Sequence, residues 1–258
     1  MRVNDQLNRE IELRRTPRRI VSLVPSQTEL LVHLGLRDSL VGITKFCVHP
    51  KQLRKEITVV GGTKSVHYSK IKEVAPDIIL CNKEENTAEM VSELGKIAPV
   101  WVSDINSYEE SLEMIALVGQ LFGKELEATG LISEIEGEKK EFVAFSEKLP
   151  RKKVAYLIWK DPFMAVGSHT FIDGMLKLNN FENIFAGSES RYPEIELEAL
   201  KTADLVLLST EPFPFKDEDA AQLEKVLKTE VRVVDGEYFS WYGSRMANAF
   251  RYFTKVRS

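Results

Sequence analysis

The sequence predicts an α/β protein of two lobes joined by one long helix. Three observations predict it. Short apolar runs rich in β-branched residues alternate with longer helical patterns, which implies parallel sheets covered by helices. One helical pattern, Lys124 to Glu147, runs on without a proline. Finally, Ser69–Leu80 (SKIKEVAPDIIL) is echoed by Glu196–Leu207 (ELEALKTADLVL). In both, a helix leads to a small residue, an aspartate (Asp77, Asp204) and an apolar strand. The expected boundaries are 17–122 for the first lobe, 123–149 for the helix and 150–258 for the second lobe.

The elements follow in order. Arg19–Val24, Leu40–Thr44, Ile57–Val60, Ile78–Cys81 and Val100–Val102 read as strands of the first lobe. Thr28–Leu36 and Asn86–Ile97 read as helices between them. Ser26-Gln27-Thr28-Glu29 has the form of a capping box, with Ser26 as the cap and Glu29 reaching back. In the long helix, Ala128, Leu131, Ile132, Ile135, Phe142 and Phe145 share a face. At 1.5 Å per residue it spans roughly 36 Å. Gly130 and Gly137 each weaken it by about 1 kcal/mol, so packing must hold it. Leu149-Pro150 ends it. Val154–Ile158, Met164–Val166, Leu205–Ser209 and Val231–Val234 read as strands of the second lobe.

Composition narrows the function classes. The chain has 258 residues, 43% of them hydrophobic and 29% charged, which is ordinary globular usage. Its formal charge of −4 lacks the basic excess of a general nucleic-acid binder. Two cysteines are too few for a disulfide framework. The first nineteen residues, MRVNDQLNREIELRRTPRR, are charged, with no apolar core and no small-residue cleavage site. As it stands, that predicts a cytoplasmic protein; removal of a signal peptide would instead make it periplasmic. Neither a phosphate-cradling glycine motif nor a Gly-x-Ser-x-Gly elbow occurs, so no catalytic residue is assigned.

RIVSLVPSQTELLVHLGL (Arg19–Leu36) resembles the opening strand, Pro-Ser and first helix of the helical-backbone class of ABC-importer substrate-binding proteins. VGITKFCVHP (Val41–Pro50), the VGG at Val60–Gly62, IKEVAPDIIL (Ile71–Leu80) and FENIF (Phe181–Phe185) continue the likeness over roughly residues 17–255. The resemblance implies two Rossmann-like lobes of the class III periplasmic-binding-protein type. It also implies a cleft that holds a metal chelate or macrocycle: cobalamin or another corrinoid, an iron-siderophore, or haem. The implied ligand is held without a covalent bond; the chain is expected to be a monomer, and its charge balance argues against a nucleic-acid partner. Whether an ABC permease is the partner stays open, and so does a cytosolic scavenger or enzyme using the same cleft.

Residue by residue, the cleft aromatic of the family matches Phe46. Trp159 and Tyr192 match second-lobe aromatics. Glu237–Arg245 (EYFSWYGSR) matches the late cleft loop and brings Phe239, Trp241, Tyr242 and Arg245. Two positions where cobalamin binders carry tryptophan hold Thr63 and Asn82 here. Family members also carry a docking glutamate on each lobe. Glu196 fits in the second lobe, but Ser69 stands in the first, among Lys64, Lys70 and Lys72.

The residues themselves leave alternatives. Exposed aromatics at strand ends suit a flat, partly apolar ligand, yet Phe239 and Trp241 fit equally under the last helix. Phe213 and Phe215 either form a second aromatic wall or plug the sheet edge. Asn82-Lys83-Glu84-Glu85-Asn86 either meets the ligand or caps the next helix. Lys45, Lys83, Lys160 and Arg245 sit at strand ends where they pair with carboxylates of a chelate or merely form a charged rim. Cys47, His49 and Cys81 are the one set with metal-ligand chemistry. They lack a fourth ligand and a zinc-finger spacing, so no metal is assigned.

Overall fold

A computed structural model describes residues 1–258. The β-branched runs pair into two separate sheets. In the first, β3 (Ile20–Ser22), β4 (Leu40–Ile43), β5 (Thr58–Val59), β6 (Ile78–Asn82) and β7 (Val100–Ser103) lie in the order β5-β4-β3-β6-β7, all parallel. In the second, β8 (Lys152–Trp159), β10 (Phe181–Asn183), β11 (Leu205–Ser209) and β12 (Glu230–Val234) run parallel in the order β10-β8-β11-β12. A short β9 (Met164–Ala165) pairs antiparallel to β8.

The helices between first-sheet strands are α1 (Pro25–His33), α2 (Leu53–Glu56), α3 (Tyr68–Glu73) and α4 (Ala88–Gly95). Two longer ones follow, α5 (Tyr108–Phe122) and α6 (Glu125–Ser146). The second sheet carries α7 (Phe171–Leu178), α8 (Asp217–Leu227), α9 (Glu237–Ser240) and α10 (Met246–Arg257). The chain divides into two units: Met1–Ile105, Glu109–Glu134 and Tyr242–Arg245 form the first, and Asn106–Tyr108, Ile135–Trp241 and Met246–Ser258 the second. Both α5 and α6 contribute residues to each unit.

The long helix runs within one residue of its expected ends. Ala128, Leu131, Ile135 and Phe142 are buried along it. In the second unit, Phe142 meets the rings of Phe250 and Phe253 at centroid distances of 5.9 and 5.7 Å. In the first unit, α6 approaches α5 so closely that a Cβ on Gly119 would stand 2.5 Å from the Ala128 Cβ. These contacts hold a helix that two interior glycines leave weak by propensity.

The sequence echo is one structural device used twice. The Asp77 carboxylate accepts from the backbone N–H of Arg18 and Arg19 at 2.9 and 3.2 Å, and its own N–H donates to Arg19 at 2.8 Å. The Asp204 carboxylate accepts from the N–H of Lys153 at 2.7 Å, and its N–H donates to Lys153 at 2.8 Å. Each aspartate therefore ties the start of one strand to the strand beside it. The helices before them differ. Leu197–Thr202 is a 3₁₀ helix with only Leu200 buried, where a helix like α3 was expected.

One local expectation is corrected. The capping box at Ser26 does not form. Pro25 occupies the first turn, Val24 is the N-cap with no side-chain bond, and Glu29 pairs with Arg245 instead. Pro suits the first helical turn because its missing N–H is an orphan there anyway. The charged N-terminus also folds. β1 (Arg2–Asn4) and β2 (Glu10–Glu12) make an antiparallel ribbon. It is held to β7 by the buried Asp5, which accepts from Val102 N–H at 3.2 Å and from the Arg9 guanidinium. No helix is long and apolar enough to cross a membrane.

Candidate functional site

In open α/β sheets, ligands meet the carboxyl ends of the strands. Those ends are described here unit by unit.

In the first unit, β4 leads into a tight turn. The Thr44 hydroxyl accepts from the Phe46 N–H at 3.2 Å, and the Cys47 N–H donates to the Thr44 carbonyl at 3.1 Å. Cys47 points inward, its thiol 3.1 Å from the Thr28 hydroxyl and 3.3 Å from that of Thr44. Phe46 is thereby turned outward and is 48% exposed, with the Lys45 ammonium 5.0 Å from its ring centre. A side chain on Gly62 would crowd the Phe46 ring at 3.3 Å, so glycine lets the ring lie against the backbone. The neighbouring Gly61, at φ +134°, makes the turn that Val60–Gly62 opens.

The loop after β6 is polar and self-bound. The Asn82 carbonyl oxygen accepts from the N–H of Glu84 and Glu85 at 2.8 and 3.1 Å, and its amide donates to Ser103 Oγ at 3.0 Å. The Asn86 side chain accepts from the Asn82 N–H and donates to the Thr63 carbonyl. Asn82 is buried and builds the loop rather than presenting a free amide. Lys83 is exposed and pairs with Asp104 at 2.5 Å.

Two members of the late segment are also built into the first unit. Tyr242 is buried, its hydroxyl facing Ser26, Gln27 and Ser103, and burial pushes its phenol well above the ordinary range. Arg245 grips Glu29 with two bonds of 2.9 and 2.8 Å, so its guanidinium is already matched by a carboxylate.

In the second unit, Trp159 ends β8 and is 40% exposed. Its ring meets Phe213 edge-on at 5.7 Å, and Phe213 meets the buried Phe215 at 4.7 Å. This line of rings runs from surface to core. Phe213 is its half-buried middle, and Phe215 belongs to the core. Lys160 is tied to Asp219 at 2.6 Å. Tyr192 is half-buried beside the Arg191 guanidinium, 5.8 Å from its ring centre.

Phe239 is fully buried between Tyr156 and Phe253, at 5.1 and 4.6 Å, which is the under-the-helix alternative. Trp241 is buried as well and donates to Glu211. Glu211 follows β11 and was not singled out from the sequence. It also accepts from the Ser240 hydroxyl, and burial pushes its carboxyl up. Its neighbours Asp235 and Glu237 push the same way.

Of the aromatics expected at the site, then, Phe46 and Trp159 are exposed, one in each unit, and Tyr192 is half-exposed. No three His, Cys, Asp or Glu side chains converge as a metal group. Cys81 lies in the first core with its thiol pushed up to about 12 by burial.

Parallel α/β sheets with exposed aromatic side chains at their carboxyl ends place the chain in the open α/β class, which takes ligands at those ends. The model of the family described as "Periplasmic binding protein" matches residues 20–231, and the chain belongs to that family. It is 28% identical over 192 residues to an uncharacterized ABC transporter substrate-binding lipoprotein, YvrC, of Bacillus subtilis, covering 71% of this chain and 60% of that protein. It is 22% identical over 181 residues to a vitamin B12-binding protein of Vibrio vulnificus, covering 70% of this chain and 66% of that one. The chain thus spans less than two thirds of either relative.

Among solved structures, periplasmic vitamin B12 binding protein BtuF of Vibrio cholerae superposes with a TM-score of 0.79 at 18% identity, covering 94% of this chain and 98% of that one. A periplasmic heme binding protein from Pseudomonas aeruginosa gives 0.81 at 21%, covering 93% and 92%. At these identities the likeness is one of fold. The expected fold class is the observed one, and the family is one of binding proteins rather than enzymes.

Proposed function

We propose that this chain is a substrate-binding protein that takes a flat, partly apolar metal chelate: a corrinoid, a haem or a ferric siderophore. The observation that carries the reading is the exposure of Phe46 and Trp159 at strand ends in the two units. Leaving such a ring in water is unfavourable, and a flat ligand laid on it recovers burial and ring stacking. The relatives named for vitamin B12 and heme support the ligand class. Lys45, exposed beside Phe46, supplies a cation for a ligand carboxylate. Calorimetric titration with cobalamin, cobinamide, haem and ferric siderophores tests the proposal. Saturable heat with one of them is expected, and silence across the panel contradicts it.

One observation favours use without an ordinary permease dock. Glu196 is exposed at the start of the 3₁₀ helix, but its counterpart in the echo is Ser69, exposed on α3 between Tyr68 and Lys70. If a partner arginine stays buried and unpaired, losing one of two anchors costs about 2–5 kcal/mol. On this reading the protein is recovered from the cytoplasm. Co-purification with a membrane permease contradicts it.

A further inference from the structure

The N-terminal ribbon precedes the stretch that matches the family, and it builds a groove there. A cavity of about 710 Å³ lies within the first unit between β2 and α4. Four consecutive residues of the ribbon, Arg9 to Glu12, line it. Side chains alternate across a strand, so a face would present every second residue; an unbroken run means that the strand's edge borders the groove.

That edge is unpaired, because β2 pairs only with β1. Its hydrogen-bonding groups can be placed by alternation. Met1 and Leu13 exchange both bonds, with Leu13 N–H to Met1 O at 2.9 Å and the Met1 amine to Leu13 O at 2.6 Å. Asp5 N–H donates to Arg9 O at 3.1 Å. In an antiparallel pair, bonded and non-bonded pairs alternate. Val3–Ile11 is then a bonded pair, while Arg2–Glu12 and Asn4–Glu10 are not. The N–H and C=O of Glu10 and Glu12 therefore point away from β1, along the free edge. The opposite wall is α4, whose Ala88, Ser92 and Gly95 are small and exposed, with Val91 between them. Small side chains leave room for another backbone.

Charge selects the occupant. The two cations that line the groove are already matched, Arg9 by Asp5 and Lys83 by Asp104. Glu10 and Glu12 are exposed, and Glu10 is met only by Arg2, at 3.4 Å across the ribbon. A second copy of β2 would set glutamate against glutamate, which is unfavourable across a strand pair. The strand that does pair with Glu-Ile-Glu is Arg2-Val3-Asn4, basic then apolar.

We infer that the groove is a peptide site, in which an extended segment alternating basic and apolar residues adds as a third strand to β2. Backbone bonds to Glu10 and Glu12 hold it, its basic side chains meet the two carboxylates, and its apolar ones lie toward Val91.

The test uses the full-length chain and a fluorescein-labelled, acetylated and amidated octapeptide of alternating arginine and valine, read by anisotropy. Saturable binding is expected. Methylating alternate backbone nitrogens of the peptide keeps its charge but removes donors, and should weaken binding by about tenfold or more. Gly95→Phe should do the same by filling the groove. A Cβ there meets nothing within 4 Å, and an unfolding transition at the wild-type position confirms that the variant is folded. Glu10→Lys with Glu12→Lys should abolish binding. Three results overturn the inference: no binding, equal binding of the methylated peptide, or unchanged binding to Gly95→Phe. Dimerisation in sedimentation that Gly95→Phe abolishes would make a second copy the occupant and overturn it too.

Discussion

The loops after β6 and β11 occupy equivalent places in the two sheets, each following the strand that an aspartate ties to its neighbour. They are closed by different chemistry. After β6, Asn82 and Asn86 spend their amides on the loop's own backbone and on Ser103 and Thr63. After β11, Phe213 and Phe215 carry a line of rings out to Trp159. The first loop is rigid because its polar groups are satisfied internally, so it has little left with which to grip a ligand. The second leaves an aromatic edge at the surface. In the first unit that role falls to the neighbouring β4 turn, which ejects Phe46. Exposure, rather than residue type, separates rings that can meet a ligand from rings that hold the sheet.

The sharpest break of this comparison is within one residue type. Phe239→Ala should cost about 3–5 kcal/mol in urea unfolding, since it empties a fully enclosed site. Phe46→Ala should stay within about 0.5 kcal/mol of wild type, as a surface change. Similar losses for the two would erase the distinction.

Polar closure comes next. Asn82→Ala removes bonds to Glu84, Glu85 and Ser103 and should cost about 1–3 kcal/mol through the unpaired groups it leaves. Arg245→Ala should cost a comparable 1–3 kcal/mol or so, below a fully buried pair because Glu29 keeps 23% of its side-chain exposure. Unfolding curves that match wild type for both would show that neither fixes its loop.

The smallest effect is a pH dependence. Burial raises the Glu211 carboxyl in the folded state, so folding favours its protonated form. Its contribution is fully present below the unfolded carboxylate pKa and is lost as pH rises through the raised folded value. Glu211→Gln should therefore melt higher than wild type at neutral pH, with the gap closing on acidification below the usual carboxylate range. A gap that widens on acidification would reverse the sign and exclude the account.

Much of the fold was legible because its signals are local. β-branched runs mark strands wherever they pair, and a proline-free stretch with an apolar face marks α6. The echo was legible as a repeated local pattern of small residue, aspartate and apolar strand, although Asp77 and Asp204 act on backbone groups 59 and 51 residues away. The N-terminal ribbon was not legible: its strands are three residues long and charged, and Asp5 secures them through Val102, far along the chain. Ser26 is not the cap because the helix already begins at Pro25, and Glu29, the other half of the expected box, is claimed by an arginine 216 residues away. For the candidate site, the sequence named the aromatic segments but could not sort them. Phe239 and Trp159 look alike in sequence, and only packing by β8 and α10 around the one, with open solvent at the other, tells them apart.

The most direct measurement is calorimetric titration of Phe46→Ala and Trp159→Ala beside wild type, using whichever of cobalamin, cobinamide, haem or ferric siderophore the wild type binds. Each substitution should weaken binding by about tenfold, the equivalent of about 1.4 kcal/mol of lost stacking and burial, while leaving the unfolding transition in place. Wild-type affinity in both variants would contradict the claim that these two exposed rings receive the ligand.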